Sequence, residues 1–365
     1  MELKELLEIA SQFKLEGEIA TIRTLGEGFI NDTFIIEISG DSPKYILQKK
    51  NKNIFKNIPG MMDNILAVTN HLKSKIAAAG GDPFRETLTL IPLKEDEKKY
   101  YTIHSDEYWC VTLFIDDSVT YQSANTLQLA EQGGRGIAKF QALLSDFTAP
   151  LVDTLPGFHN IKFRFEQWDA SLAADPKGRV AQVQDLILEI ESRREQMMEF
   201  YKLIENGTIP RRITHNDTKI SNILFDKNDN VLCVIDLDTV LSAPCLYDFG
   251  DSIRSYTNTG AEDDPNPENV SMNREIYEAY LRGYLSEADQ FLTDIEKEYL
   301  PFSAKYITFE QVLRFLMDYI DGDKYYKIAY PDHNLVRTRA QYKLLQSMER
   351  QYPEMQAVIK EIQNS

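Results

Sequence analysis

The 365 residues are 43% hydrophobic and 11% aromatic, enough to build the cores of one large or two moderate domains. The balance of 57 acidic against 40 basic residues leaves a net charge of −17, which repels a polyanion over most of the surface and argues against nucleic acid as a partner. An anionic ligand must then be met by a local site of backbone N–H groups, a metal ion and a few Lys or Arg side chains.

The chain opens on MELKELLEIASQFKLEGEI, where Leu3, Leu6, Leu7, Ile9 and Ala10 mark one face of a short helix. This stretch has neither the continuous apolar core nor the basic flank of a signal peptide, and no later stretch approaches the roughly 20 apolar residues of a membrane span. A soluble, cytoplasmic protein without a membrane partner is expected. IATIRTL, the glycine-rich turn GEGFIN, TFIIEI and YILQKK then read as an antiparallel sheet. A helix follows, marked by Met61, Met62, Ile65, Leu66, Val68 and Leu72, and then the strand-like segments ETLTLIPL, KKYYTIH and YWCVTLFI.

After IDDSV at 115–119 the pattern turns helical: 125–145, with a break signalled at Gly133-Gly134-Arg135-Gly136; 161–173; and 184–206, where Leu186, Ile187, Ile190, Met197, Met198, Tyr201 and Ile204 fall near one stripe. Short β segments, RRITHND, NILFD and VLCVIDLD, occupy 211–238, and helical patterns fill 271–287, 294–320, 334–350 and 353–363. The expected class is α+β, with a β-rich lobe over 1–115 and a helical lobe over 116–365 carrying one β-ribbon. Cys110, Cys233 and Cys245 are odd in number and lack metal-ligand spacing, so buried free thiols are expected.

The chemistry is concentrated in Thr214-His215-Asn216-Asp217-Thr218-Lys219-Ile220-Ser221-Asn222, directly before the apolar run Ile223-Leu224, and in Val234-Ile235-Asp236-Leu237-Asp238 further on. Phosphoryl transfer from ATP needs a group that orients or deprotonates the acceptor hydroxyl and oxygen ligands for Mg²⁺ on the phosphates. An Asp and an Asn five residues apart, a Lys two after the Asp and a strand-end Asp a hairpin later supply both, in the order of the kinase catalytic loop. As a mere turn or helix cap, Asp217 would make Lys219, Asn222 and Asp236 coincidences. His215 fits a loop-holding role better than direct catalysis. Asp236 and Asp238 are two apart and would share a face of a regular strand; the first fits the metal position, and the second is either a further ligand or a structural acceptor. Gly26 and Gly28, with Asn31 closing the turn, let backbone N–H groups approach phosphate oxygens, although a plain hairpin turn explains the same residues.

With these motifs the chain resembles the aminoglycoside phosphotransferase family, and that resemblance implies a bilobal protein-kinase-like fold. Within the family it is most similar to bacterial N-acetylhexosamine 1-kinases, on YILQKKN, THNDTKISNIL, IDLDT, YDFGDSIR, RFLMDYIDGD and HNLVRTR. What this implies is ATP as co-substrate, an N-acetylhexosamine (GlcNAc or GalNAc) phosphorylated on its anomeric hydroxyl, Asp217 as base, Asn222 and Asp236 on Mg²⁺, and Lys219 neutralising charge on the moving phosphoryl group. Thr112, Phe114 and Ile115 would present backbone groups to adenine, and His159, Arg254 and Arg314 are candidates for the sugar. For those three the competing readings are salt bridges for the arginines and a satisfied loop histidine. One departure stands out: Gln48 occupies the place expected for the strand lysine that grips the ATP phosphates, with Lys49 and Lys50 after it, so the lysine role is open. Other acceptors, namely choline, homoserine, methylthioribose or an aminoglycoside, keep the fold and change the substrate. A non-catalytic nucleotide-binding protein is the reading from another class.

Overall fold

The computed structural model describes residues 2–25 and 31–363. It is a mixed α+β protein with an antiparallel sheet toward the N-terminus and helices toward the C-terminus. It divides into two compact units: Met1–Thr120 with Asp146–Pro156 and Ile223–Leu241, and Tyr121–Ser145 with Gly157–Asn222 and Ser242–Ser365. No described helix is long and apolar enough to cross a membrane, and the three cysteines are free and buried.

In the first unit, α1 (Leu3–Ala10) packs Leu6, Ile9 and Ala10 against a five-stranded antiparallel sheet. Its strands are β1 (Ile19–Thr24), β2 (Asp32–Ile38), β3 (Tyr45–Lys50), β4 (Tyr101–His104) and β5 (Glu107–Leu113), in the order β1-β2-β3-β5-β4. Tyr45 and Leu47 of β3 point into this core beside Trp109 and Val111, so by strand alternation Gln48 and Lys50 share the opposite face. ETLTLIPL, expected as a strand, lies along the end of β5 through only Ile91 N–H to Val111 O (2.9 Å), Leu113 N–H to Thr89 O (2.9 Å) and one bridge at Leu90. Pro92 brings no N–H to continue a ladder.

Helix α2 (Ile58–Ala78) starts at Asn57, whose side chain caps Gly60 N–H at 3.0 Å. Asn64 on its buried side exchanges hydrogen bonds with the main chain of Val152, both at 2.8 Å, which ties 146–156 to the helix. The hairpin of Ile223–Phe225 and Val231–Val234 joins the same unit where Val119 and Phe225 exchange backbone bonds of 2.8 and 2.9 Å.

The second unit holds α3 (Leu127–Leu143), α4 (Ile161–Ala174), α5 (Gln184–Glu191), α6 (Arg194–Glu205), α7 (Cys245–Tyr256), α8 (Arg274–Ala288), α9 (Asp294–Asp321), α10 (His333–Arg350) and α11 (Tyr352–Gln363). The stripe over 184–206 is two helices, α5 and α6, separated at Ser192-Arg193. Helix α3 runs unbroken through Gly133-Gly134-Arg135-Gly136 because these glycines serve packing: a Cβ on Gly134 would stand 2.2 Å from Tyr280 O in α8, and one on Gly283 of α8 would stand 1.9 Å from Glu131 O in α3. The long α9 opens with a Thr293/Glu296 capping box and ends at Gly322 with φ of 94°. Its buried side supports α7 and α10 and carries Glu310 and Tyr306 inward.

Candidate active site

The candidate residues fall in both units, and each half has its own logic. In the sheet unit, Lys50 extends from the end of β3 and donates to Asp238 Oδ1 at 2.7 Å and to Gln48 Oε1 at 2.9 Å. Asn31 Nδ2 donates to the other oxygen of Asp238 at 2.8 Å, and Asn31 Oδ1 accepts from Asn51 N–H at 3.1 Å. The ion pair is largely buried, with 4% and 5% of the two side chains exposed. Burial alone would push the Lys50 ammonium down; the nearby Asp238 and Asp236 charges outweigh it and hold the group above its ordinary value.

Regular alternation stops before these carboxylates. The second hairpin strand ends at Val234, Asp236 takes a left-handed backbone with φ of 61°, and Leu237–Thr239 forms a tight 3-10 turn. Asp238 is thereby turned into the Lys50 pair. Gly26 and Gly28 lie outside the described residues. Along 112–115, Phe114 N–H donates to Lys44 O at 2.9 Å and Ile115 O accepts from Ser118 Oγ at 2.6 Å. Thr112 is paired with Ile46 in the sheet register. Gln48, besides receiving Lys50, sits 3.4 Å from Thr33 Oγ1.

In the helical unit, the strand Arg212–Thr214 feeds a loop that ends in a 3-10 turn at Ile220–Asn222. The loop is held by its main chain. His215 N–H and Asn216 N–H donate to the two oxygens of Asp248 at 3.0 and 2.6 Å, Thr218 N–H donates to Asp251 Oδ2 at 2.9 Å, and Thr218 Oγ1 donates to Asp248 O at 2.6 Å. Both carboxylates project from α7, the YDFGDS segment. Gln141 of α3 also donates to Asp248, at 2.8 Å. Asp248 is fully buried, and that burial pushes its carboxyl upward against the pull of His215 and the backbone donors.

Asp217 follows Asn216, which has a left-handed φ of 66°. Its Oδ2 accepts from Asn222 Nδ2 at 3.0 Å and pairs with Lys219 Nζ at 3.1 Å, and a quarter of the side chain is exposed. Burial raises the carboxyl, but Lys219 and His215 nearby, with the hydrogen bonds from Lys219 and Asn222, outweigh it and keep the group below the usual carboxylate range. Asn222 spends its amide nitrogen on Asp217, donating also to Asp217 O at 2.8 Å. Its Oδ1 has no partner among the described residues.

The three sugar candidates differ in what they hold. Arg254 is committed to Asp251 at 2.9 Å and Glu262 at 2.7 Å. His159 is buried, with Nδ1 2.7 Å from Glu310 Oε2 and Nε2 3.2 Å from Asn216 O. Among the described residues Arg314, one turn beyond Glu310 on α9, has only a long hydrogen bond to Gln311 at 3.4 Å, and it lies 5.5–5.9 Å from the ring centres of Phe158, Tyr325 and Tyr326. Asn216 O, His159 and Glu310 thus form a hydrogen-bonded path from the Asp217 loop into α9, with the Arg314 guanidinium one turn further along that helix.

The sequence model of the phosphotransferase enzyme family matches residues 21–294. The chain belongs to this family. Solved structures agree in fold. A choline kinase from Cryptosporidium parvum Iowa II is 16% identical over 99% of each chain, with a TM-score of 0.61. Spectinomycin phosphotransferase in complex with ADP and spectinomycin is 14% identical over 96% of this chain and 99% of its own, at 0.58. An aminoglycoside phosphotransferase from Alicyclobacillus acidocaldarius is 12% identical over 98% and 95%, also at 0.58. As a phosphotransferase family member, the protein is a small-molecule phosphotransferase of the kinase type.

Two features of the candidate site were left open or unassigned by the sequence. Lys50 carries a signal in hindsight, since it is two residues from Gln48 and must share its face. Asp248 and Asp251 as loop anchors carry none, because nothing local in YDFGDS says which main-chain N–H groups 30 residues upstream they will meet.

Proposed function

We propose that this protein transfers the γ-phosphoryl group of ATP to the anomeric hydroxyl of an N-acetylhexosamine, giving the sugar 1-phosphate and ADP. The observation that carries the reading is Asp217: a partly exposed carboxylate on a rigid loop, kept ionised by Lys219 and Asn222. An ionised carboxylate accepts the acceptor's O–H proton as the oxygen bonds to the γ-phosphorus and the bond to the ADP oxygen breaks. Lys219 neutralises charge beside that step. Lys50, held charged by Asp238, is the cation offered to the nucleotide phosphates, and Asp238 serves as its partner. The Ile115 main chain is offered to adenine.

Asn222 Oδ1 and the Asp236 carboxylate are the hard oxygen donors that suit Mg²⁺. When bound, the ion supplies charge neutralisation for the phosphates. On the acceptor side, Arg314 offers N–H groups to sugar and acetamido oxygens. The same residue argues against choline, the acceptor in the name of a similar kinase: a quaternary ammonium needs an aromatic box, and the one formed by Phe158, Tyr325 and Tyr326 already contains the Arg314 cation.

The test is ADP release over a panel of GlcNAc, GalNAc, choline, ethanolamine, homoserine, methylthioribose and an aminoglycoside. The expected result is turnover of the hexosamines, and a preference for choline or an aminoglycoside overturns the acceptor assignment. Asp217→Asn should fold normally and lose about 10²–10⁴-fold in kcat; a variant that turns over hexosamine near the wild-type rate removes Asp217 from its role.

A further inference from the structure

We propose that His159 is a positioning residue: its imidazole, gripped by Glu310, clamps the main chain immediately before Asp217 and sets where that carboxylate points. The inference rests on the reading of Asp217 given above.

The two partners of the ring can only accept. Nε2 faces the main-chain carbonyl of Asn216 at 3.2 Å, and Nδ1 faces a carboxylate oxygen of Glu310 at 2.7 Å. Glu310 is buried, which would raise its carboxyl, yet His159, Arg164 and Arg314 hold it down to about 2, so it faces the ring ionised. A ring between a carbonyl and a carboxylate donates through both nitrogens. The bond to the ionised Glu310 is charge-assisted, and both bonds are directional.

The backbone at both ends of the clamp is constrained. His159 and Asn216 each adopt a left-handed conformation, with φ of 54° and 66°, unfavourable for residues with a Cβ and found where surrounding contacts enforce it. Tyr306 Oη donates to His159 O at 3.0 Å, while Phe158 and Tyr247 pack on the ring at 4.1 and 5.3 Å between centroids. Arg164 shares Glu310 at 3.2 Å, fixing the carboxylate from the α4 side. Asp248 holds the N–H of Asn216 and His159 holds its C=O, so the peptide groups on both sides of this residue are fixed, the second being the one that joins it to Asp217. Asp217 is the next residue. A buried histidine placed only for packing would not need its second nitrogen on that carbonyl.

The experiment uses the full chain, with GlcNAc and Mg-ATP as substrates, and compares His159→Phe, His159→Gln and Glu310→Gln with the double variant His159→Phe/Glu310→Gln. Phe keeps the aromatic packing and removes both hydrogen bonds; Gln serves if the Phe variant does not fold. The expected result is a kcat loss of about 100-fold, the scale of a sub-ångström to 1 Å misplacement, with KM for ATP within about twofold. The double variant should be no worse than His159→Phe alone, since the two residues act as one unit. Amide exchange at Asn216, Asp217 and Thr218 should accelerate at least about tenfold, with α8 and α10 unchanged. A kcat within about threefold of wild type, unchanged loop exchange, or a loss confined to KM for the sugar overturns the proposal, the last by making His159 a sugar contact. The exchange measurement needs no turnover: if wild type phosphorylates no hexosamine, the acceptor assignment fails while the clamp is still read directly.

Discussion

Asp238 and Asp248 are both buried carboxylates beside a functional segment, one in each unit, and they are compensated by opposite means. Asp238 meets a full positive charge from Lys50, with Asn31 on its second oxygen. Asp248 meets two main-chain N–H groups and the Gln141 amide. The first arrangement holds a cation at the end of β3, which the proposed function offers to the nucleotide phosphates. The second spends a charge to shape a loop, since a carboxylate accepting adjacent N–H groups fixes the peptide planes between them. A side-chain ion pair can be read as ligand chemistry; a carboxylate bound to backbone is architecture.

Two experiments test this contrast, and a third extends it to Glu310, a buried carboxylate held by side chains. The largest effect is expected for Lys50→Met, which strands Asp238 in the interior: about 3–5 kcal/mol of stability should be lost in urea unfolding. Removing both charges with Lys50→Met/Asp238→Leu should recover most of that stability without recovering Mg-ATP binding by calorimetry. If the double variant binds nucleotide as wild type does, the cation is not offered to phosphate.

Acid titration comes next. The folded value of Glu310, about 2, lies below its ordinary 4.5, so its contribution is complete above that range and disappears as the pH falls from about 4.5 toward 2. Wild type should lose roughly 3 kcal/mol over this window relative to Glu310→Gln, seen as a flatter acid limb for the variant in thermal melts. The smallest effect is expected for Asp248→Asn, about 1.5–3 kcal/mol, because an amide presents one oxygen where the carboxylate presents two. Its signature should be local: kcat falls with the loop geometry while the β3 end of the sheet unit keeps its nucleotide affinity.

Much of the fold was legible because its signals are local. The periods of β1, β2, β3 and β5 and of α8, α9 and α10 lie in the chain itself, and their observed bounds fall within a few residues of the expected ones. The misreadings share one cause, that partners distant in sequence decided the outcome. ETLTLIPL has strand composition but meets only the last residues of β5. The 184–206 stripe is apolar throughout, and only the turn at Ser192-Arg193, where Arg193 pairs with Glu349 of α10 at 2.7 Å, divides it. For the candidate site, spacing singles out Asp217, Asn222 and Asp236, and their roles remain those proposed above. The sequence left the lysine role open between Gln48, Lys49 and Lys50 because the ion pair with Asp238 depends on a partner 188 residues away, and of the two readings open for His159 the contacts of its nitrogens, to Glu310 and Asn216 O, agree with the satisfied loop histidine.

The paired glycines of α3 and α8 carry a mechanical consequence. Where side chains separate two helices, a shift can be absorbed by rotamer changes; where main chain rests on main chain, at Gly134 against Tyr280 and Gly283 against Glu131, there is nothing soft to rearrange. These two helices therefore travel as one rigid strut, and any adjustment the helical unit makes during a catalytic cycle has to be taken up by its loops and by the other helices.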